Sequence, residues 1–319
     1  MSKAMVCGVA VSFAALALLG SAAASTPNHD GGRDGHWWVG HGRDGHDGHG
    51  QGGGDNQGDG GHGDHGQGGS CAVANTRTGA SIGSLQAAND DAATLSGDTL
   101  TVQGTCTGDS TLTKNLTVSG HGNATLDGGG AAAPVVTVSS ALTVTLSNLT
   151  ITGSANTAAY GGGILDEAAV LTLTNMNVTG NSAYGGGGVD NYAAGTLNIQ
   201  GSTISHNTGG GVMNMEGGLL TLTDSSVVNN TNDFNGGGIS SGFITGTTLI
   251  HSVVAFNSAA GSGGGIFNLG LLTLTNSAVL GNNAGIDGGG VDQVGQMIRT
   301  NTIIAGNTPD QCLQEPVPC

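Results

Sequence analysis

Between residues 161 and 307 one stretch of about 25 residues is written six times, and its clearest copy is GGGIFNLGLLTLTNSAVLGN at 263–282. A repeat of this length outweighs every other signal, because a unit that short buries an apolar face only by stacking on its neighbours. The last glycine of each glycine run serves as a marker: Gly163, Gly188, Gly211, Gly238, Gly265 and Gly290, at intervals of 25, 23, 27, 27 and 25 residues. A β-branched residue follows each one: Ile164, Val189, Val212, Ile239, Ile266 and Val291. A second apolar column runs through Ile151, Val178, Ile204, Val227, Val254, Val279 and Ile304. Three residues beyond it stands a polar column of Ser154, Asn181, Asn207, Asn230, Asn257, Asn282 and Asn307. From marker glycine to Asn the spacing is 17–19 residues, whereas the step from Asn to the next marker runs from four to eight. Length variation therefore falls in one connector, as expected of a loop between strands of fixed length.

Within each copy the pattern has period two, as in Leu272-Thr273-Leu274-Thr275, with Leu facing in and Thr facing out. No helical period appears between 131 and 307, which argues against a leucine-rich repeat with its helical leg. Stacked coils pair as parallel strands about 4.8 Å apart, so equal positions lie above one another. Aliphatic columns fill the interior, the Asn column bonds amide to amide, and glycine is expected at the corners that need a positive φ. These features predict an all-β chain built as a parallel β-helix of about 25 residues per coil. Glycine fills 63 positions without a strict three-residue period, which excludes collagen.

Before the array, Ile82, Leu85, Ala88 and Ala92 fall at helical spacing and predict a short capping helix over 82–94. Such a helix covers the open sheet edge at the end of a solenoid. Alternating Leu100 and Val102, Leu116 and Val118, and Ala124 and Leu126 predict half-buried strands, with turns at Gly97-Asp98 and at 128–130. Arg299 stands where earlier coils place Leu and marks the closing of the interior.

The GGGIFN and LTLTNSAVLGN strings resemble right-handed parallel β-helix repeat proteins of the pectin-lyase-like superfamily. The GG-I-x-N element is also similar to the repeats of chlamydial polymorphic membrane proteins. The run SLQAANDDAATLSGDTLTVQGTCTG, with LTVSGHGNATLDGGG after it, resembles the N-terminal cap and first coils of secreted actinobacterial members. The resemblance covers about 71–319. It implies a right-handed coil. Because many such proteins cleave acidic polysaccharides, it also calls for a search for catalytic groups.

Outside the array, residues 1–24 read as a secretory signal: Lys3, an apolar run over 9–19, and Ala22-Ala23-Ala24 before the cleavage point. Residues 25–70 form a Gly/Asp/His tract with too few apolar residues to build a core, expected to be a disordered linker. Its His36, His41, His46, His49, His62 and His65 are candidates for weak binding of zinc, copper or nickel, although no defined ligand spacing occurs and no other cofactor is expected. With Cys7 in the signal, four cysteines remain, for which three pairings exist. Cys71–Cys106 in the N-terminal cap and Cys312–Cys319 in a tail over 312–319 are the expected pairs, leaving 71–311 as the β-helix with its cap.

Six basic residues against 22 acidic ones, a formal charge of −16, exclude nucleic acid as a partner. After signal cleavage no membrane insertion is expected, and a rod capped at both ends is expected to be a monomer. Glycosidases need two carboxylates flanking one bond, and lyases of this fold pair calcium-binding acids with a basic residue. The only basic residues of the folded part are Arg77, Lys114 and Arg299, none set among acids. The candidate acids are Asp166, Glu167, Asp190, Glu216, Asp287 and Asp292. Asp190 and Asp292 are expected to point outward four coils apart, and Asp166 to join an inward polar column with Asn191, Asn214 and Asn268. Asp190 and Glu167 are the best placed to share a calcium ion. The 120–122 Gly-His-Gly triplet reads as a turn. No catalytic residue is assigned.

The expected function is that of an exported, non-enzymatic β-helix scaffold or adhesion protein at the cell surface or in the matrix. A polysaccharide-binding or polysaccharide-cleaving protein is the alternative. The outward Thr pairs Thr172/Thr174, Thr221/Thr223 and Thr273/Thr275 also raise ice binding, but Asn198/Gln200 and Ile250 interrupt the ranks.

Overall fold

The computed structural model describes residues 70–314. The segment 1–24, the tract 25–70 except Ser70, all six candidate histidines and Cys319 lie outside the described residues. The described chain is a parallel β-solenoid of about eight turns with about 25 residues per turn. One coil shows the plan. Strand Ile266–Asn268 belongs to a nine-stranded sheet, Leu271–Thr275 and Ala278–Leu280 to an 18-stranded sheet, and Asn283–Ala284 to a three-stranded one.

Coils stack in strict register. Ile164 pairs with Val189, Val189 with Val212, Val212 with Ile239, Ile239 with Ile266 and Ile266 with Val291. Every member of this column is at most 1% exposed, as are Leu171, Leu197, Leu220, Leu249 and Leu274 from the strands that follow. Full burial of such a side chain contributes roughly 1.5–3 kcal/mol, so the columns supply the main drive for stacking.

Polar ladders complete the interior. The Asn181 backbone N–H and Nδ2 both donate to Asn207 Oδ1, at 3.0 and 3.2 Å. The same pair of bonds recurs from Asn207 to Asn230, Asn230 to Asn257, Asn257 to Asn282 and Asn282 to Asn307, at 2.9–3.0 Å. Each Nδ2 also donates to the carbonyl of the apolar column one coil back, as from Asn257 to Val227 at 2.9 Å. At the C-terminal end Gln311 Oε1 takes over as acceptor for Asn307. A second ladder was not expected from the sequence: the N–H groups of Ser202, Ser225 and Ser252 donate to the hydroxyls of Ser225, Ser252 and Ser277, each at 3.2 Å.

Glycine holds a positive φ at some corners, as at Gly153, Gly180, Gly281 and Gly306 just before the ladder residue, but not at all of them. Between the two strands of the large sheet the left-handed residue is Asn148, Asn175, Gly201, Asp224, His251, Asn276 and Asn301 in successive coils, with φ between 49° and 56°. Asn, Asp and His tolerate this region through local hydrogen bonding, so glycine is not required there. The marker glycines serve another purpose. A Cβ on Gly265 would sit 2.5 Å from the Gly290 carbonyl oxygen and 2.8 Å from Asn282 Nδ2, so the backbone passes too close to the next coil for any side chain. Positive φ is instead carried by the first glycine of the run, Gly263 at +68°.

The cap helix is shorter than its spacing suggests. It spans Leu85–Asp90, with Ser84 Oγ accepting from the Ala87 N–H at 3.1 Å, while Ile82 falls in strand Ser81–Ile82 and Ala92 in an exposed turn. The N-cap serine ends the strand two residues after Ile82, so the apparent period spans two elements. The 120–122 triplet lies inside strand Thr117–Asp127 as an irregularity in its pairing with Thr99–Thr107, not as a turn between strands. Cys71 and Cys106 form a disulfide that ties the first strand of the cap to the first coil. Cys312 is disulfide-bonded as well. Arg299 pairs in register with Leu274 and is exposed, as expected where the interior closes.

Replacing Asn257 by Ala strands the Asn230 N–H inside the rod and removes one donor from the Val227 carbonyl. We expect a loss of at least about 3 kcal/mol, read from urea unfolding midpoints. A loss under about 1 kcal/mol would show that the ladder is ornamental.

Candidate functional site

The connector after the ladder Asn is where coils differ, and it is shortest between Asn207 and Gly211. Its neighbours on either side carry Tyr184 and Phe234. The short connector leaves a notch, about two coil spacings or ~10 Å across, between these longer loops. Across it the Tyr184 and Phe234 rings lie with centroids 4.9 Å apart at 50°, and Tyr160 meets Tyr184 edge-on at 5.4 Å and 88°. The resulting depression has a volume of about 220 Å³ and is lined by Tyr160, Tyr184, Met213, Asn232, Phe234, Asn235, Ser240 and Phe267. Two of the chain's three tyrosines and two of its five phenylalanines meet here.

Buried asparagines two residues past the ladder position shape two of the three aromatic loops, those of Tyr160 and Phe234. Asn156 Nδ2 donates to the Tyr160 and Gly161 carbonyls at 3.0 and 2.9 Å. Asn232 does the same to Asn235 and Gly236 at 2.8 and 3.2 Å, and its Oδ1 accepts from the Phe234 N–H at 3.0 Å. The corresponding residues are Ala183, Ala259 and Ala284 in coils that hold no such bond. Tyr160, Tyr184 and Phe234 keep 49%, 45% and 51% of their surface exposed. Exposed aromatic faces beside amide and hydroxyl groups suit a ligand with an apolar body and polar edges.

Met213, Ser240 and Phe267 form the floor; they belong to the outward column of the nine-stranded sheet, in which Leu165, Asp190, Met213, Ser240, Phe267 and Asp292 stand in register. Asp190 and Asp292 point outward as expected, yet both are buried, at 1% and 7%. The glycine two before each marker, except at Gly209, turns back over the side chain four residues later. A Cβ on Gly186 would lie 2.7 Å from Asp190 Cβ, and one on Gly288 2.6 Å from Asp292 Cβ. Both oxygens of Asp190 are buried without a hydrogen-bond partner. Burial, with the nearby Asp166 charge second, pushes its carboxyl up to about 7. Glu167 remains exposed opposite Tyr192, so it and Asp190 do not make the calcium pair considered from the sequence.

On the inner side, Asp166 pairs in register with Asn191, Asn191 with Asn214, Asn214 with Ser241 and Ser241 with Asn268. Gln293 continues the column, and Asn191 Nδ2 donates to Asn214 Oδ1 at 2.7 Å. Asp166 Oδ1 accepts from the Ala169 N–H at 2.8 Å, while Asp166 Oδ2 and Asn191 Oδ1 are buried without a partner. Both oxygens converge on the space beside Gly195, where a Cβ would meet them at 3.0 and 2.3 Å. Burial pushes Asp166 up to about 7 despite the Ala169 bond. A proton on Oδ2 supplies the donor that this end of the column lacks.

The remaining candidates stay apart. Glu216 and Asp287 are exposed in separate turns. Arg77 binds Asp98 through two nitrogens, at 2.6 and 2.8 Å, and Lys114 donates to the Asn89 and Asp91 carbonyls at the end of the cap helix. Among the described residues no three of His, Cys, Asp and Glu gather as a metal set. The Thr rank continues through Thr145, Thr172, Thr221, Thr248 and Thr273 but is broken by Asn198 and ends at Ile298.

Comparison of the chain with protein-family models, with curated proteins and with solved structures found no match.

Asp166 and Asp190 bind protons more tightly folded than unfolded, where a carboxyl titrates near ~3.9. Their contribution to stability is therefore greatest at and below about pH 4, falls as pH rises from about 4 to about 7, and is flat above. Asp166→Asn keeps a donor toward Asn191 at every pH. It should raise the melting temperature at pH 8, leave it unchanged at pH 4 and shallow the slope between. An unchanged slope would contradict the assignment of Asp166 as a neutral acid.

Proposed function

We propose that this chain is an exported, non-enzymatic β-helix of the adhesion or scaffold type, which holds a surface component in its aromatic notch. The observation that carries the reading is the gathering of Tyr160, Tyr184 and Phe234 at the one coil whose connector is shortened. Aromatic residues that serve packing are normally buried; these three are half exposed around a depression. The Cys71–Cys106 disulfide supports an oxidising compartment, and with the apolar run at 9–19 it supports export. The repeat strings support kinship with the pectin-lyase-like superfamily and its right-handed coil.

The placement of the acids supports a non-catalytic role. Asp190, the acid beside the notch, has both oxygens buried, and its partner in charge, Asp166, lies inside the coil. Neither is placed to give or take a proton at a bound glycosidic bond, which needs two accessible carboxylates. The same notch favours the second reading, a polysaccharide-binding protein, because aromatic faces also receive sugar rings.

Attachment of the purified protein to bacterial surfaces and to immobilised glycans tests the proposal. Tyr184→Ala with Phe234→Ala should lower attachment at least about tenfold, as loss of central aromatic anchors does elsewhere. The melting temperature should move little, since both rings lie outside the stacked columns. Equal attachment by the double variant, or turnover of any glycan by the wild type, would overturn the reading.

A further inference from the structure

We infer that the notch takes a quaternary or otherwise alkylated ammonium group, with Asp190 as its buried counter-charge. This inference rests on the notch being the binding site and adds the chemistry of what binds there. Aromatic faces attract cations through their ring quadrupoles, and the attraction grows when water is excluded. Tyr160, Tyr184 and Phe234 supply three such rings with neighbouring centroids 5.4 and 4.9 Å apart, and Phe267 and Met213 add soft apolar surface. A methylated ammonium head suits that lining better than a bare ammonium, which gives up more hydration on entry.

The charge argument is independent of the rings. Asp190 is 1% exposed, both its oxygens lack a partner, and it pairs in register with Met213, which lines the notch. Its charge reaches Tyr160, whose hydroxyl it helps to hold in the protonated form after burial and Tyr184. A buried carboxylate without a partner is costly, and a cation in the notch relieves that cost. Of the described basic residues, Arg77 and Lys114 are engaged in the N-terminal cap and Arg299 lies in the last coils; none lines the notch. An anionic ligand such as a polyuronide would find no basic residue in the lining, with Asp190 buried behind it, and a neutral sugar would leave Asp190 uncompensated.

Calorimetric titration of the full chain with tetramethylammonium and choline, set against the uncharged isostere 3,3-dimethylbutan-1-ol, tests this directly. The cations should bind at least about tenfold more tightly than the isostere. Asp190→Asn, which keeps the shape of the side chain, should abolish most of that preference while leaving isostere binding unchanged. Phosphatidylcholine vesicles form a further arm. Retention on them along with choline binding assigns a lipid head group as the source, and choline binding without retention assigns a free or polymer-borne one. Isostere binding equal to choline, or no cation binding by a protein that still attaches through Tyr184 and Phe234, overturns the ammonium assignment alone. Loss of Tyr184 and Phe234 without effect on attachment removes the notch itself, and the inference with it.

Discussion

Everything in this rod depends on equal positions of successive coils lying directly above one another. Parallel pairing fixes that register, and once fixed it is unforgiving: each interior residue has its own counterpart as its nearest neighbour above and below. Aliphatic columns meet the demand by like packing on like. The Asn column meets it because one amide carries both a donor and an acceptor, so each Asn serves the coil on either side. A carboxylate lacks the donor. Asp166, standing in a column of amides, is therefore the one member that needs a proton to belong.

Glycine enters the same argument through space. At Gly265 the next coil's carbonyl and the ladder amide leave no room for a Cβ. At Gly263 the chain turns back over its own outward side chain, and this partly covers the outward face of the nine-stranded sheet. A site on this face can be built only where the pattern is relaxed. The shortest connector, after Asn207, does so by withholding loop length, and the longer loops beside it close over Met213 from both sides. The notch is thus a deletion in one repeat, bordered by aromatic departures in its neighbours.

Repetition made the architecture legible in the sequence. The columns of Ile151 and Asn181 keep a fixed offset of three residues and stand at nearly constant distance from the Ile164 column through six copies, as stacked strands require. Less was visible at the corners, where Asn148 and His251 adopt a conformation that glycine was expected to hold. Inward or outward placement followed from alternation, but exposure did not: Asp190 faces away from the interior and is buried all the same, because Gly186 folds over it. The aromatic notch was hidden for a related reason. Tyr160, Tyr184 and Phe234 lie in three different copies, and only the stack brings them together. The short 23-residue interval between Gly188 and Gly211 was the one signal that pointed there.

Native-state hydrogen exchange tests the central claim, that a continuous ladder of side-chain amides locks the coils in register. The N–H groups of Asn207, Asn230, Asn257 and Asn282 donate to side chains, not to strand partners. If the ladder is part of the cooperative frame, these four exchange only through global unfolding, as slowly as the amides of Val227 and Val254 in the buried strands. Exchange at the faster rate of the exposed connector residues Asp233 and Asp287 would contradict the account, and would leave aliphatic packing alone to hold the rod.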